Sequence, residues 1–360
     1  MSIERHSRAR QIELGNSLHG RRKIYLDARF WIIMRDVALG VHAEPTARKL
    51  LYYLRCGVTE GRLFCPISAS MFVELMKQPN TAGRRIGTAQ LIDELSLGVA
   101  MIPSQIIMRT EIYSFLLRAK GGVDLHPMQE LIWTKIAYVF GDMYPSLVRV
   151  SPTMELAVQK SFFDYLWNHS LSDIVKTMGD NFPRSEEFAE LSRETNAKNA
   201  QHKNELRSFT QTYDIELRGV IENAGKTAAD IIQELAEKET GHALSPTAEQ
   251  RANSINIWCN LLYAAFKKPE TKDTLRSLHI GASIHAAMRW DKGRKFVPND
   301  YYDFEHAAAA LGYCDVFLTE GSLRHLVTRP QVNLEALNNC RVFSNVEAAA
   351  AHIRQLLSSG

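Results

Sequence analysis

Three acidic residues, Asp300, Asp303 and Asp315, lie in a segment near the C-terminal end of the chain that otherwise has the composition of a buried core. Residues 299–320 have the sequence NDYYDFEHAAAALGYCDVFLTE. A cap-forming residue and an alanine-rich run predict a helix that ends at Gly312, followed by a short buried strand. An ionised carboxylate in apolar surroundings is costly unless it meets a cation or several hydrogen-bond donors. Metal binding is one chemistry that would account for these acids.

Each of these acids also has an ordinary structural explanation. Asp300 can cap the helix, Asp303 can interact favourably with the helix dipole, and Asp315 can belong to a turn. His306 lies one turn after Asp303 on the same helix face. Taken one at a time, the structural explanations are favoured, and acids elsewhere in the chain are needed to change that balance.

Two further acids stand in apolar settings far away in the sequence. Asp27 ends the predicted buried strand 24–26, at the position where open α/β sheets place their ligand sites. Glu74 lies inside the apolar helical segment FVELM. Ser68 and Ser70 precede it, but a capping box from either serine would need its acid at position 71 or 73. Glu74 therefore needs another partner.

The motifs LDARFW, SASMFVEL and NDYYDFEHAAAALGYCDVFLTE, in this order, resemble the PIN-like nuclease family, particularly its large bacterial members with an insertion between the second and third acids. The resemblance covers residues 22–78 and 275–358. It implies a Rossmann-like α/β/α sandwich with a parallel sheet. The implied domains are a discontinuous PIN-like catalytic domain of residues 22–79 and 273–360, and an α-helical insertion of residues 80–272.

The resemblance also implies which residues act. Four acids carried over by motif are expected to be the catalytic residues and the ligands of Mg²⁺ or Mn²⁺: Asp27, Glu74, Asp303 and Asp315. Hard divalent cations prefer carboxylate oxygens, so acids from separate strand ends suit such a site. The expected activity is hydrolysis of phosphodiester bonds, with RNA favoured over DNA by the resemblance alone. The alternative is a PIN-like module that binds nucleic acid or regulates without turnover.

The identity of the fourth acid is open between two positions. Many PIN domains have Thr-x-Asp after this strand, whereas here Thr319 is followed by Glu320. We favour Asp315, because it borders the apolar strand, while Glu320 lies in a more solvent-accessible position where a carboxylate costs little. Four residues are candidates for supporting or alternative roles in the site: Asp300, His306, Thr319 and Glu320.

The formal net charge of +3 is small, so any nucleic-acid surface has to come from local clustering of basic residues. One such cluster immediately precedes the acidic motif and is expected to contact substrate phosphates. It consists of Lys292, Arg294 and Lys295. The polar, helix-forming stretch 184–243 predicts one or two long, partly exposed helices. Homodimerisation through the helical insertion is a further expectation.

The composition of the chain, and the motifs that its sequence lacks, exclude several other classes of protein. A chain of 360 residues with 45% hydrophobic and 23% charged residues is typical of a globular protein. Its five widely spaced cysteines predict free thiols, and no apolar stretch reaches the roughly 18 residues needed to cross a bilayer, so a cytoplasmic protein is expected. A phosphoaspartyl phosphatase would need an aspartate two residues after Asp27, where Arg29 stands. The usual dinucleotide, P-loop and serine-hydrolase motifs are missing.

Overall fold

The computed structural model describes residues 2–41, 44–79, 83–121, 126–179, 187–202 and 204–358. The strands in these residues are β1 (Arg22–Leu26), β2 (Leu63–Phe64), β3 (Val99–Met101), β4 (Trp133–Lys135), β5 (Val316–Leu318) and β6 (Arg341–Phe343). The helices of the first half are α1 (Ile3–Ser17), α2 (Ala28–Ala38), α3 (Pro45–Thr59), α4 (Ala69–Lys77), α5 (Arg84–Ser96), α6 (Ser104–Ala119), α7 (Met128–Leu131), α8 (Pro152–Trp167) and α9 (Leu171–Met178). The helices of the second half are α10 (Glu187–Gln201), α11 (Phe209–Thr240), α12 (Ala248–Ala265), α13 (Pro269–Thr274), α14 (Arg276–Trp290), α15 (Pro298–Tyr313), α16 (Gly321–Thr328), α17 (Leu334–Leu337) and α18 (Val346–Ser358), and a 3₁₀ helix covers Ile136–Tyr138.

Four of the strands form a parallel sheet in the order β2, β1, β5, β6. The register pairs Ile24 with Val316 and Leu26 with Leu318, so β1 and β5 run side by side over their whole shared length. Strands β3 and β4 form an antiparallel pair, and a parallel bridge between Ile67 and Ala100 links this pair to the segment that follows β2. The chain therefore places β2 on one side of β1, and later places β5 and then β6 on the other side.

Both faces of the parallel sheet are covered by helices, as expected for strands that are apolar throughout. Ile24 and Leu26 point into a core that includes side chains of α2, α3, α5 and α18. Tyr25 points the opposite way, into a core with side chains of α14, α15 and α16. The alternation follows from the two-residue period of a strand. The predicted α/β class with a parallel sheet is confirmed, within a chain that is mostly helical.

Part of the segment predicted to be a helical insertion, residues 80–272, packs against the parallel sheet. Helix α5 contributes Ile92 and Leu95 to the same core as β1, and Ala100 of β3 belongs to that core as well. Residues before the predicted domain start at residue 22 are also buried. Helix α1 precedes it and buries Ile3, while Leu18 just beyond the helix joins the second core.

Helices α6, α11, α12 and α14 share a separate hydrophobic core. Helices α10 and α11 correspond to the one or two long helices predicted from the polar stretch 184–243. None of the helices in the described ranges combines the length and apolar character needed to cross a lipid bilayer. All five cysteines are free thiols, and three of them are buried: Cys65, Cys314 and Cys340.

Candidate functional site

The candidate site lies where β1 and β5 end, next to each other. In open α/β sheets, ligands bind at the carboxyl ends of the strands where the strand order reverses, and this sheet reverses between β1 and β5. The backbone N–H of Asp27 donates to the carbonyl of Leu318 at 3.0 Å, which brings Asp27 beside the residues that follow β5. Those residues are Thr319 and Glu320.

Asp27 is held in place by the helix that follows it. Its carboxylate caps α2 by accepting a hydrogen bond of 3.0 Å from the backbone N–H of Phe30. One carboxylate oxygen of a capping aspartate accepts the helix N–H and fixes the orientation of the side chain, and the second oxygen can accept from another partner. The side chain is buried at 5% exposure, so a free ionised oxygen there requires compensation.

Helices α4 and α15 supply the remaining side chains through one continuous chain of hydrogen bonds. His306 Nε2 is 2.6 Å from the Glu74 carboxylate, and His306 Nδ1 is 2.7 Å from the hydroxyl of Tyr25. Tyr25 in turn contacts the hydroxyl of Ser68 at 2.6 Å. Burial acts to lower the pKa of His306, but the bond to Glu74 and the nearby carboxylates raise it overall. A protonated His306 donates from both ring nitrogens, to Glu74 and to Tyr25.

The electrostatics of Asp27 show that the site is crowded with negative charge. Burial raises the pKa of Asp27 from 3.8 to about 6, and the charge of Glu320 acts in the same direction. The bond from Phe30, the charge of His306 and the hydroxyl of Thr319 oppose the rise without cancelling it. The carboxyl group is therefore partly protonated near neutral pH.

Asp303 is affected in the same way and more strongly. The pKa of Asp303 is raised from 3.8 to about 7, chiefly by burial and also by the charges of Glu320, Glu74 and Asp27, against the opposing charge of His306. Mutual repulsion of this kind arises when carboxylates from several elements share one region. The structure thus brings together Asp27, Glu74, Asp303, His306 and Glu320.

The hydroxyl of Thr319 is a polar group without a full partner at this site. Thr319 is completely buried, and its oxygen makes no hydrogen bond of ordinary geometry within the described chain. It is nevertheless close enough to the Asp27 carboxylate to lower the pKa of that group. Buried polar atoms are normally satisfied, and the Asp27 carboxylate is the acceptor nearest in effect to this hydroxyl.

Asp315, predicted to be the fourth acid, lies at the other end of the sheet. It precedes β5, and its carboxylate accepts a hydrogen bond of 2.8 Å from the backbone N–H of Lys23 and pairs with Arg22 at 3.0 Å. Lys23 is four residues before Asp27, a separation of about 13 Å along an extended strand. The prediction that Asp315 joins Asp27 is wrong, and Glu320 takes the corresponding place.

Asp300 has the capping function that its sequence position suggested. Its carboxylate accepts from the backbone N–H of Val297 at 2.7 Å and pairs with Arg294 at 2.8 Å. Arg294 is therefore already engaged by an acid of its own segment. Lys292 and Lys295 are exposed and line a cavity of about 140 Å³ that α10 and α14 also border. The acidic side chains of the site are not among the residues that line this cavity.

Sequence reasoning missed two polar residues near the acids, Tyr25 and Lys77. Tyr25 was treated as part of an apolar strand, although a buried tyrosine hydroxyl normally requires a partner. Lys77 lies one turn after Glu74, donates to the hydroxyl of Tyr302 at 2.5 Å and sits 3.9 Å from the centre of its ring. The spacing of three residues from Glu74 is the signal that could have placed Lys77 on the same helix face.

The donor set fits a hard divalent cation by its chemistry. Carboxylate oxygens are the preferred ligands of Mg²⁺ and Mn²⁺. A nearby cation would lower the pKa values of Asp27 and Asp303, which burial raises. Within the described ranges, however, no three histidine, cysteine, aspartate or glutamate side chains are arranged so that they could hold one ion. A cation would therefore have to draw these side chains together.

No protein-family model, curated protein sequence or solved structure matches the chain. The class of the fold is α/β, and the relation to PIN-like nucleases stays a proposal that depends on the sequence motifs and on the position of the acids.

Proposed function

We propose that the chain is a metal-dependent nuclease of PIN-like type, which hydrolyses phosphodiester bonds with Mg²⁺ or Mn²⁺. The residues that would hold the cation are Asp27, Glu74, Asp303 and Glu320. RNA is the preferred substrate class in this proposal because of the motif resemblance. Glu320 replaces Asp315 in the set, since of the two acids that directly flank β5 only Glu320 follows the strand and so lies at the same end of the sheet as Asp27.

The observation that carries the proposal is the raised pKa of both Asp27 and Asp303 at the strand-order reversal of the sheet. Perturbed carboxyl groups in this position are typical of functional sites. Asp27 also caps α2, but neither Asp27 nor Asp303 has an arginine or lysine of the described part of the chain among the groups that act on its carboxyl group. Asp300 and Asp315 of the same chain are paired with such cations, Arg294 and Arg22 respectively.

Each side chain has a separate task in the proposed reaction. Asp27 is oriented by its cap on α2, and Glu74 is oriented by His306. Asp303 has a raised pKa of about 7 without a cation, and a bound cation would favour its ionised, metal-binding form. A bound divalent cation would supply charge stabilisation for the phosphoryl group and activation of the attacking water.

Cleavage assays with the purified full chain test the proposal. Labelled single-stranded RNA and DNA are incubated with Mn²⁺, with Mg²⁺ or with EDTA. We expect metal-dependent cleavage that Asp27→Asn abolishes and that Asp315→Asn leaves intact. Asp315 is a matched control because it is an aspartate next to the same pair of strands but at their opposite end. Cleavage that survives Asp27→Asn, or that persists in EDTA, would contradict the proposal.

The second candidate is a PIN-like module that binds nucleic acid or regulates without turnover. It is favoured by His306, whose raised pKa and bond to Glu74 favour a protonated imidazole of the protein itself beside the acids. In that case the imidazolium takes the place that a metal ion would have. Tight binding of RNA or DNA without cleavage under every metal condition would support this candidate over the nuclease.

A further inference from the structure

A cavity of about 270 Å³ lies behind the acidic site, enclosed by α6, α14, α15 and the start of α4. Its wall is mainly apolar and includes Met101, Ile107, Ile284, Phe304 and Ala308. Gly281 of α14 also lines it, and a side chain built at this glycine would meet open space rather than neighbouring atoms. Predominantly apolar cavities with a few polar groups are the usual form of small-molecule sites. The volume suits a molecule of one or two rings.

The mouth of the cavity carries the carboxylate of Glu305. Glu305 lines the cavity and also reaches solvent. No lysine or arginine of the described ranges is among the groups that act on this carboxyl group. A cationic group on a bound molecule would supply the missing charge, as opposite charges do elsewhere in partly buried positions.

The cavity is connected to the acidic site by direct contacts. Ser68 lines the cavity and is the first member of the hydrogen-bond chain that runs through Tyr25 and His306 to Glu74. Helix α15 also faces both ways, with Phe304 and Ala308 on the cavity wall and Asp303 in the acidic site. A molecule in the cavity therefore touches the same elements that orient Glu74.

We propose that this cavity binds a small, mainly apolar molecule with an amino group, such as an aromatic amine. Its ring system occupies the space beside Gly281, and its ammonium group pairs with Glu305. Occupancy alters the contact of Ser68 with Tyr25 and is transmitted to His306 and Glu74. This site does not depend on nuclease activity, because binding and its effect on His306 can be measured without any substrate.

Titration calorimetry with three indole probes tests the binding step on the full chain. Tryptamine carries the ammonium group, 3-methylindole is neutral, and indole-3-acetate is anionic. We expect saturable one-to-one binding of tryptamine, at least about tenfold tighter than that of 3-methylindole, with indole-3-acetate weakest. In Glu305→Gln the preference for the cation should disappear while 3-methylindole binds unchanged. Failure of all three probes to bind, or equal affinity for all three, would overturn the assignment.

A cavity-filling variant locates the binding site. Gly281→Leu should reduce tryptamine affinity by about tenfold or more, because the leucine side chain occupies the space of the ring. Gly219→Leu is the matched control, since Gly219 is also a helical glycine with open space around it but does not line the cavity. If Gly281→Leu does not fold, Ala308→Leu tests the same wall. Unchanged tryptamine affinity in a folded variant of either kind would place the bound probe elsewhere.

Nuclear magnetic resonance of labelled histidine tests the transmission step. The chain has 12 histidines, and His306→Gln identifies the signal of His306. Tryptamine should shift the ring nitrogen resonances of His306 in the wild-type chain. In Tyr25→Phe, which keeps the ring but removes the connecting hydroxyl, tryptamine should still bind but the shift should be lost. A shift that persists in Tyr25→Phe would refute the hydrogen-bond path, whatever the chain does to nucleic acids.

Discussion

Replacing Asp27 by asparagine is expected to stabilise the folded chain when no metal ion is present. The change removes a charge but keeps the size of the side chain and its capping bond to Phe30, since asparagine caps helices about as well as aspartate. Sites that concentrate like charges hold them at the expense of stability, and neutralising one of them relieves repulsion. The sign of the effect separates a functional carboxylate from a structural one.

The size of this effect follows from the pKa of Asp27. Its value of about 6 in the folded chain, against 3.8 as the ordinary value, corresponds to about 3 kcal/mol of unfolding free energy. Because the folded pKa is raised, the stabilising effect of proton binding is fully present below about pH 4 and is lost as the pH rises through about 6. The asparagine side chain introduced by D27N does not titrate. This variant should therefore exceed the wild type by about 3 kcal/mol above about pH 7 and match it near pH 4.

Urea unfolding at about pH 4, 6 and 8, with EDTA and then with excess Mn²⁺, measures the effect. At about pH 8, Mn²⁺ should stabilise the wild type, because the ion binds only the folded chain, and should stabilise D27N much less. Asp315→Asn is the control: it should lose stability at neutral pH and keep the full response to Mn²⁺. The reasoning is refuted if D27N is no more stable than the wild type at about pH 8 in EDTA. Equal stabilisation of both chains by Mn²⁺ would remove Asp27 from the proposed ligands.

The other predictions concern the fourth acid, the buried hydroxyl and the N-terminal helix. Glu320→Gln should lower metal-dependent cleavage by orders of magnitude, whereas Asp315→Asn should change the rate by less than about twofold, as measured by initial rates. Tyr25→Phe should lower the free energy of unfolding by about 1–3 kcal/mol in urea titrations, because two buried polar partners lose their contact. Gly15→Ala should destabilise the chain in thermal melts, because the new methyl group would collide with the backbone of α7. By contrast, Gly219→Ala, in open space on α11, should stabilise by about 1 kcal/mol.

The elements around the site were predictable because their signals are local. The alanine run and Gly312 mark α15 and its end, and the apolar residues after Cys314 mark β5. The acid that completes the site was assigned incorrectly, although the necessary information was present. Strands β1 and β5 are parallel, so of the two acids that directly flank β5 only the one that follows the strand, Glu320, can lie beside Asp27. Asp315 was selected over Glu320 from the sequence because only the expected burial of the two acids was considered.

The extent of the α/β unit could not be obtained from sequence patterns. The contact that ties β3 to the sheet region is a single bridge between Ile67 and Ala100, which are far apart in sequence. Helix α1 could not be predicted from the sequence for another reason. Its buried positions after Ile3 are Ser7, Gln11 and Gly15, a stripe of small and polar residues that no hydrophobic periodicity detects.

The two proposed functions differ in what they require of the charges at the site. The bond to Glu74 and the nearby carboxylates raise the pKa of His306, which favours its protonated form. The pKa of Asp27 is raised to about 6 and that of Asp303 to about 7, chiefly by burial, although the charge of His306 opposes both shifts. A divalent cation held by these acids would lower both pKa values, whereas a binding module that relies on His306 would keep them raised when Mn²⁺ is added. Titration of both carboxyl groups with and without Mn²⁺ therefore tests the nuclease proposal against the binding module.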